Sequence, residues 1–133
     1  MSHVDWTAVA DTLAHAPNVV AAWAFGSASG GNLRPGGDVD VAILFDELPT
    51  LEERADLRAD LQEALGIDDI DLVTLNTASP LLRFEAVSGQ RILCRNAQDC
   101  AAFVSLAARE VEDANALAQR ALGYWTHRGA ATP

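Results

Sequence analysis

The sequence predicts a small α+β domain: a mixed β-sheet flanked by helices, with a long helix at the C-terminal end. Three observations predict it. Short apolar runs rich in β-branched and aromatic residues alternate with stretches of helical periodicity, the pattern of a sheet that carries helices. Gly, Pro and Ser punctuate the boundaries between them. The tail from Ala97 to about His127 reads as one long helix.

The elements follow in order. Val4 to Ala14 has helical spacing, with Trp6, Val9 or Ala10, and Leu13 on one side, and Pro17 ends it. Asn18 to Phe25 reads as a buried strand that runs straight into Gly26-Ser27, with Trp23 in the core. Residues 28–37 hold four of the nine glycines and form the most loop-like stretch. Val39 to Phe45 is a second strand, apolar on both faces beyond its first residues. Thr50-Leu-Glu-Glu53 fits a capping box and starts a helix that runs to about Leu65, where Gly66 stops it. Ile67 to Leu75 carries a third strand. Ser79-Pro80 opens a short helix that ends near Gly89, and Arg91 to Cys94 is a brief strand. In the final helix Phe103, Leu106, Val111, Leu117 and Leu122 are the expected core positions. The whole, 1–133, reads as a single domain, with a motif-bearing core over about 18–95 and the last helix over about 97–127.

Composition narrows the function. The chain carries 19 acids against 9 bases, a net charge of −10, and every base is Arg. A Walker-type phosphate loop needs its Lys and is excluded. Nucleic acid as the main ligand is disfavoured, because neutralising phosphates demands a basic face. A polyphosphate remains open to an acidic chain when a divalent cation supplies the positive charge. Cys94 and Cys100 have no second Cys pair and no nearby His, which disfavours zinc. They read as buried or idle thiols of a cytosolic protein, with a disulfide between them the less favoured alternative. No signal segment is visible at the N-terminus, and the longest apolar run, Val19 to Phe25, is too short to span a bilayer. A soluble, cytoplasmic protein with no membrane contact is expected.

The chemistry concentrates at one place. Gly26-Ser27 closes a strand, a glycine-rich loop follows, and the next strand opens with Asp38-Val39-Asp40. Residues i and i+2 of a strand share a face, with Cα atoms about 6.5–7 Å apart. Two carboxylates so placed reach a shared hard cation or bracket two metal ions. Without a cation they repel and raise each other's pKa, which a purely structural strand has no reason to tolerate. The Gly-Ser turn lets backbone N–H groups and the Ser27 hydroxyl approach a phosphate. Phosphoryl or nucleotidyl transfer is the chemistry such a set serves, since it depends on positioning and charge neutralisation. The bland alternatives are a solvated turn for Asp38 and Asp40, and a self-satisfied turn residue for Ser27. Arg83, Arg91 and Arg95 read as surface or salt-bridging residues, and His3, His15 and His127 as surface histidines. Tyr124-Trp125 reads as packing of the last helix rather than as a partner-facing patch.

The pattern Gly26-Ser27, ten residues, Asp38-x-Asp40 resembles the signature of the DNA polymerase beta-type nucleotidyltransferase superfamily. The small size, with Ile70-Asp71-Leu72-Val73-Thr74-Leu75 and Ser79-Pro80-Leu81-Leu82 downstream, resembles its minimal branch: the MNT-type (MntA-like) antitoxins that pair with HEPN-domain (HepT-like) toxins. The resemblance covers about residues 18–95. It implies the nucleotidyltransferase fold, with Asp38 and Asp40 as ligands of Mg²⁺, one ion or two. Asp71 matches the third carboxylate, which ligates metal or acts as base; Asp69, two residues earlier, is the alternative. Gly26 and Ser27 would hold the triphosphate of ATP. The implied activity is transfer of AMP from ATP to a tyrosine of the partner toxin, which silences it. The acidic charge would suit a basic ribonuclease partner and speed their encounter.

Two positions depart from the family pattern. Gly30 stands where many relatives carry a loop Arg, and Gly37 where many have Ser before the first Asp. Fewer contacts to the triphosphate and slower turnover follow, with Arg34 of the same loop as the substitute cation. Two other readings stay open. One is an antitoxin of weak or no activity that masks its toxin by binding; the other is modification of a small molecule, which usually needs an additional helical domain to shape the acceptor site, where this chain has only a helix to spare.

Overall fold

The computed structural model describes residues 2–26, 32–33 and 38–131. Their elements are β1 (Ser2–His3), α1 (Trp6–Ala14), β2 (Val19–Phe25), β3 (Asn32–Leu33), β4 (Val39–Phe45), α2 (Leu51–Leu65), β5 (Ile70–Thr74), α3 (Pro80–Val87), β6 (Gln90–Cys94) and α4 (Ala97–Ala131). The expected α+β architecture is present, with a four-stranded mixed sheet in the order β5-β4-β2-β6. β2 runs antiparallel to both β4 and β6, whereas β4 and β5 are parallel. The two-residue strands β1 and β3 pair separately, a feature too short to announce itself in the sequence. No helix among the described residues is long and apolar enough to cross a membrane.

Local chemistry accounts for the helix ends. Asp5 caps α1 by accepting from the Ala8 N–H at 3.1 Å. The capping box of α2 is formed in full: Thr50 Oγ1 accepts from Glu53 N–H, and the Glu53 carboxylate accepts from Thr50 N–H. Gly66 ends α2 in the left-handed region at φ +65° and donates its N–H to Gln62 O, a conformation that strains any residue with a Cβ. Ser79 caps α3, with Pro80 at its first position.

The sheet is covered on both faces, and alternation along β4 assigns each residue to one of them. Val39, Val41 and Ile43 join Ile70 and Leu72 of β5 in a core closed by Val9 and Leu13 of α1 and Leu57 and Leu61 of α2. Ala42 faces the other way, into a second core with Trp23, Phe25, Leu75, Ala86 of α3 and Cys100 of α4. Trp23 is buried, as its place in a strand led us to expect.

Three expectations need correction. β5 starts at Ile70 rather than Ile67, because a tight turn takes up the preceding residues: Asp68 O accepts both the Ile70 N–H and Gln62 Nε2. Cys94 and Cys100 are joined in a disulfide between β6 and the start of α4, with Cα atoms 6.5 Å apart. They are not idle thiols. The third correction is in α4, where Cys100, Phe103, Ala107 and Val111 form the inward stripe, while Leu106, Leu117 and Leu122 are exposed by 41, 67 and 73%. Leu106 sits about 100° off that stripe. The other two lie past the body, since a 35-residue helix spans about 50 Å. The seven-residue strands it lies against span only about 23 Å.

Candidate active site

The face of the sheet that meets α3 and α4 also carries the acids. Asp40 is the second residue of β4 and points to the face of Ala42, opposite to Val39 and Val41. Parallel pairing sets Asp71 of β5 directly beside it, because the register partners are Asp40 and Asp71. Neighbours in register share a face, so both carboxylates stand on the same side. Asp38 lies two residues before Asp40 and is exposed just ahead of the strand. Asp69 precedes β5 and uses its carbonyl to accept the Val39 N–H at 2.9 Å, an anchor that fixes the β4–β5 register. The register therefore favours Asp71 over Asp69 as Asp40's neighbour.

On its other side Asp40 pairs with Phe25 of β2, and the chain leaves β2 at Gly26. Gly26 has φ +77°, and an ideal Cβ built on it would lie 2.2 Å from Asp40 Oδ2. Only glycine lets the backbone approach that carboxylate so closely. Gly26 and Asp40 are thus one packed unit. Ser27 and Arg34, along with Gly30 and Gly37, lie outside the described residues.

Electrostatics single out Asp40. Its pKa is raised above the ordinary 3.8, first by burial and then by the charges of Asp71, Asp38 and Glu85. Glu85, exposed on α3, was not visible from the sequence as part of this group. Its side of the helix is decided by Ala86, which packs into the same core as Phe25. Three acids around the half-buried Asp40 make a site that holds its proton and attracts cations. Among the described residues, however, no group of three or more His, Cys, Asp or Glu side chains is gathered closely enough to hold a metal ion by itself. The arrangement is an open cluster, not a closed cage.

A cavity of about 230 Å³ opens beside it, lined by Asp38, Asp69, Ile70 and Asp71 and, from α2, by Arg58. Arg58 donates Nε–H to Ile70 O at 2.8 Å, at the outer edge of β5. The signal for it in the sequence is the i, i+4 spacing of Arg54 and Arg58, which sets both on one face of α2. Of the arginines read as surface or salt-bridging residues, Arg83 is engaged with Glu110 at 3.1 Å and with the Leu75 and Asn76 carbonyls. Arg95 is engaged with the carbonyls of Ala14, Ala16 and Val19. Both hold the fold together.

Comparison with known proteins bears on this arrangement. The family described as "Polymerase beta, Nucleotidyltransferase" matches residues 8–98. No curated protein matches the chain. Among solved structures, a toxin–antitoxin crystallised with AMP-PNP is similar at 24% identity and a TM-score of 0.76, covering 92% of this chain and 99% of that one. A mutant of the toxin–antitoxin MntA–HpeT is similar at 25% identity and 0.75, with 92% and 98% covered. A tri-AMPylated HEPN toxin of Shewanella oneidensis in complex with MNT antitoxin supplies a third, at 22% identity and 0.68, with 92% and 99% covered.

Proposed function

The chain belongs to the polymerase beta nucleotidyltransferase family, and on that footing we propose that it is an antitoxin that transfers AMP from ATP to a hydroxyl, a tyrosine's, of a HEPN-family toxin. The observation that carries the proposal is the in-register pair Asp40 and Asp71, with Gly26 seated against Asp40. The similar structures add the biological setting, since one contains AMP-PNP and another a tri-AMPylated HEPN toxin beside an MNT antitoxin.

The donor set suits Mg²⁺. It is all oxygen, and mutual repulsion around Asp40 is relieved when a cation sits among the acids. An open cluster also suits this ion, which usually takes one or two carboxylates and completes its shell with water and substrate phosphates. Asp38 and Asp40 would hold it, with Asp71 as third ligand or base. When bound, it would neutralise charge on the triphosphate and on the departing pyrophosphate. The protein's own part is orientation. Gly26 lets the backbone of the turn approach the phosphates, Ser27 adds a hydroxyl donor, and Arg34 supplies a loop cation. Asp71 takes the proton of the incoming hydroxyl as its oxygen attacks the α-phosphorus in line.

The direct test incubates the protein with a HEPN-family toxin, Mg²⁺ and α-labelled ATP. Label on a toxin tyrosine is expected, together with loss of toxicity; an unlabelled toxin overturns the proposal. A second reading, silencing by masking alone, draws on the open carboxylate cluster and on Gly30 and Gly37. The variant Asp38→Asn/Asp40→Asn separates the two. Under the transfer reading it binds the toxin without neutralising it, whereas retained neutralisation favours masking.

A further inference from the structure

Arg54 and Arg58 stand one helical turn apart on α2, and both reach the outer edge of β5. Arg54 donates from Nη2 to Leu72 O, and Arg58 donates from Nε to Ile70 O. Both bonds cover carbonyls that an edge strand would otherwise offer to another chain. Beyond that the two residues part. Arg54 lines only the groove of about 320 Å³ between α2 and β5, which Asp71 also borders, and not the cavity that Asp38 and Asp69 line. Arg58 lines both, sharing the second with Asp38, Asp69 and Asp71.

Arg58 is nevertheless not paired with these acids. The one salt bridge among the described residues is Arg83–Glu110. A guanidinium held by its Nε keeps both terminal amino groups as donors. Here they belong to a cation pinned at the mouth of an acidic site and engaged there by no described carboxylate.

Strand order decides which reactant meets it. From β2 outward the sequence is Gly26, then Asp40 on β4, then Asp71 on β5, and Arg58 lies beyond β5. If the phosphates occupy the Gly26 side, the acceptor approaches beside Asp71. We infer that Arg58 belongs to the acceptor site, where it hydrogen-bonds the acceptor oxygen and stabilises the negative charge that develops on it. The inference rests on the nucleotidyl-transfer reading above. In the step it serves, the acceptor O–H proton passes to the Asp71 carboxylate and the oxygen's electron pair forms a bond to the α-phosphorus. The bond from that phosphorus to the bridging oxygen breaks, and pyrophosphate leaves with its electrons. A charge-assisted donor at the attacking oxygen favours the ionised acceptor.

The test compares Arg58→Ala, Arg58→Lys and Arg54→Ala in the full chain, with HEPN toxin, Mg²⁺ and α-labelled ATP. Arg58→Ala is expected to lower kcat by about 100-fold, the scale of removing one preorganised oxyanion donor. Its KM for ATP and its affinity for a fluorescent ATP analogue should be unchanged. Its rate should rise with pH only at more alkaline values than the wild type, and Arg58→Lys should restore part of the loss. Arg54→Ala removes the same kind of strand-edge bond and should leave the rate and the pH profile alone. A raised KM for ATP in Arg58→Ala, or a rate equal to that of Arg54→Ala, overturns the inference while the transfer reading stands. A wild-type protein that leaves the toxin unlabelled overturns both.

Discussion

A methyl group on Gly26 would have to occupy the space of the Asp40 carboxylate, for an ideal Cβ there falls 2.2 Å from Oδ2. Gly26→Ala must therefore displace Asp40 or the turn itself, and it also places a side chain at φ +77°. The backbone cost is about 1–2 kcal/mol. Misplacing a reacting group by 1 Å costs roughly 100-fold in rate. We expect the variant to melt a few degrees lower and to transfer AMP at about one hundredth of the wild-type rate or less. Circular dichroism melts and labelled-ATP assays measure the two separately. Wild-type transfer by this variant would contradict the packing of Gly26 on Asp40.

Asp40 itself should weaken the fold it sits in. Its folded pKa is raised, so the folded chain holds this proton more tightly than the unfolded chain, whose value is the ordinary 3.8. Stability is therefore lost as pH rises from the unfolded value through the folded one, and the full penalty persists above it. Asp40→Asn removes the charge, so its Tm should exceed that of the wild type at neutral pH. The difference should shrink in acid and vanish below the unfolded pKa. Mg²⁺ should raise the Tm of the wild type and do little for the variant, which should also be inactive. A variant less stable than the wild type at neutral pH would show that burial and acidic neighbours are not the dominant influence on Asp40.

Whatever depended on short-range chemistry was legible before the fold. Thr50 and Glu53 announced a capping box and Gly66 its end, because these groups act within one turn of the chain. The i, i+2 spacing of Asp38 and Asp40 was legible for the same reason, although Asp38 stands just ahead of β4 rather than within it. What depended on docking was not legible. Glu85 reaches Asp40's surroundings only because Ala86 docks α3 into the core that holds Phe25, and Arg58 only because α2 packs at the β5 edge. The apolar residues of α4 misled for a related reason: periodicity reports which face is apolar, not where the sheet beneath it stops.

The disulfide gives a separate prediction. It joins the end of β6 to the first turns of α4 across a sequence separation of 6. Closing so short a loop is worth about 2 kcal/mol in the chain-entropy account. Non-reduced protein in denaturant should show no reactive thiol. Reductant should lower the Tm of the wild type by several degrees and leave Cys94→Ala/Cys100→Ala unmoved. Two titratable thiols in the non-reduced protein would mean that the bridge does not form in solution.

Leucine truncations distinguish the core of this domain from the overhang of its last helix. Leu61 is fully buried between α2 and the sheet, among Val9, Leu13 and the odd-numbered residues of β4. Leu61→Ala removes that packing and leaves a cavity, which costs about 2–5 kcal/mol. Leu117 is 67% exposed, on the part of α4 past Val111 where every described side chain through residue 123 is exposed. Leu117→Gln in the isolated protein should change stability by no more than about 0.5 kcal/mol. Urea denaturation of both variants reads the difference directly. A loss at Leu117 comparable to that at Leu61 would mean that the C-terminal half of α4 is folded against the body in solution rather than projecting from it.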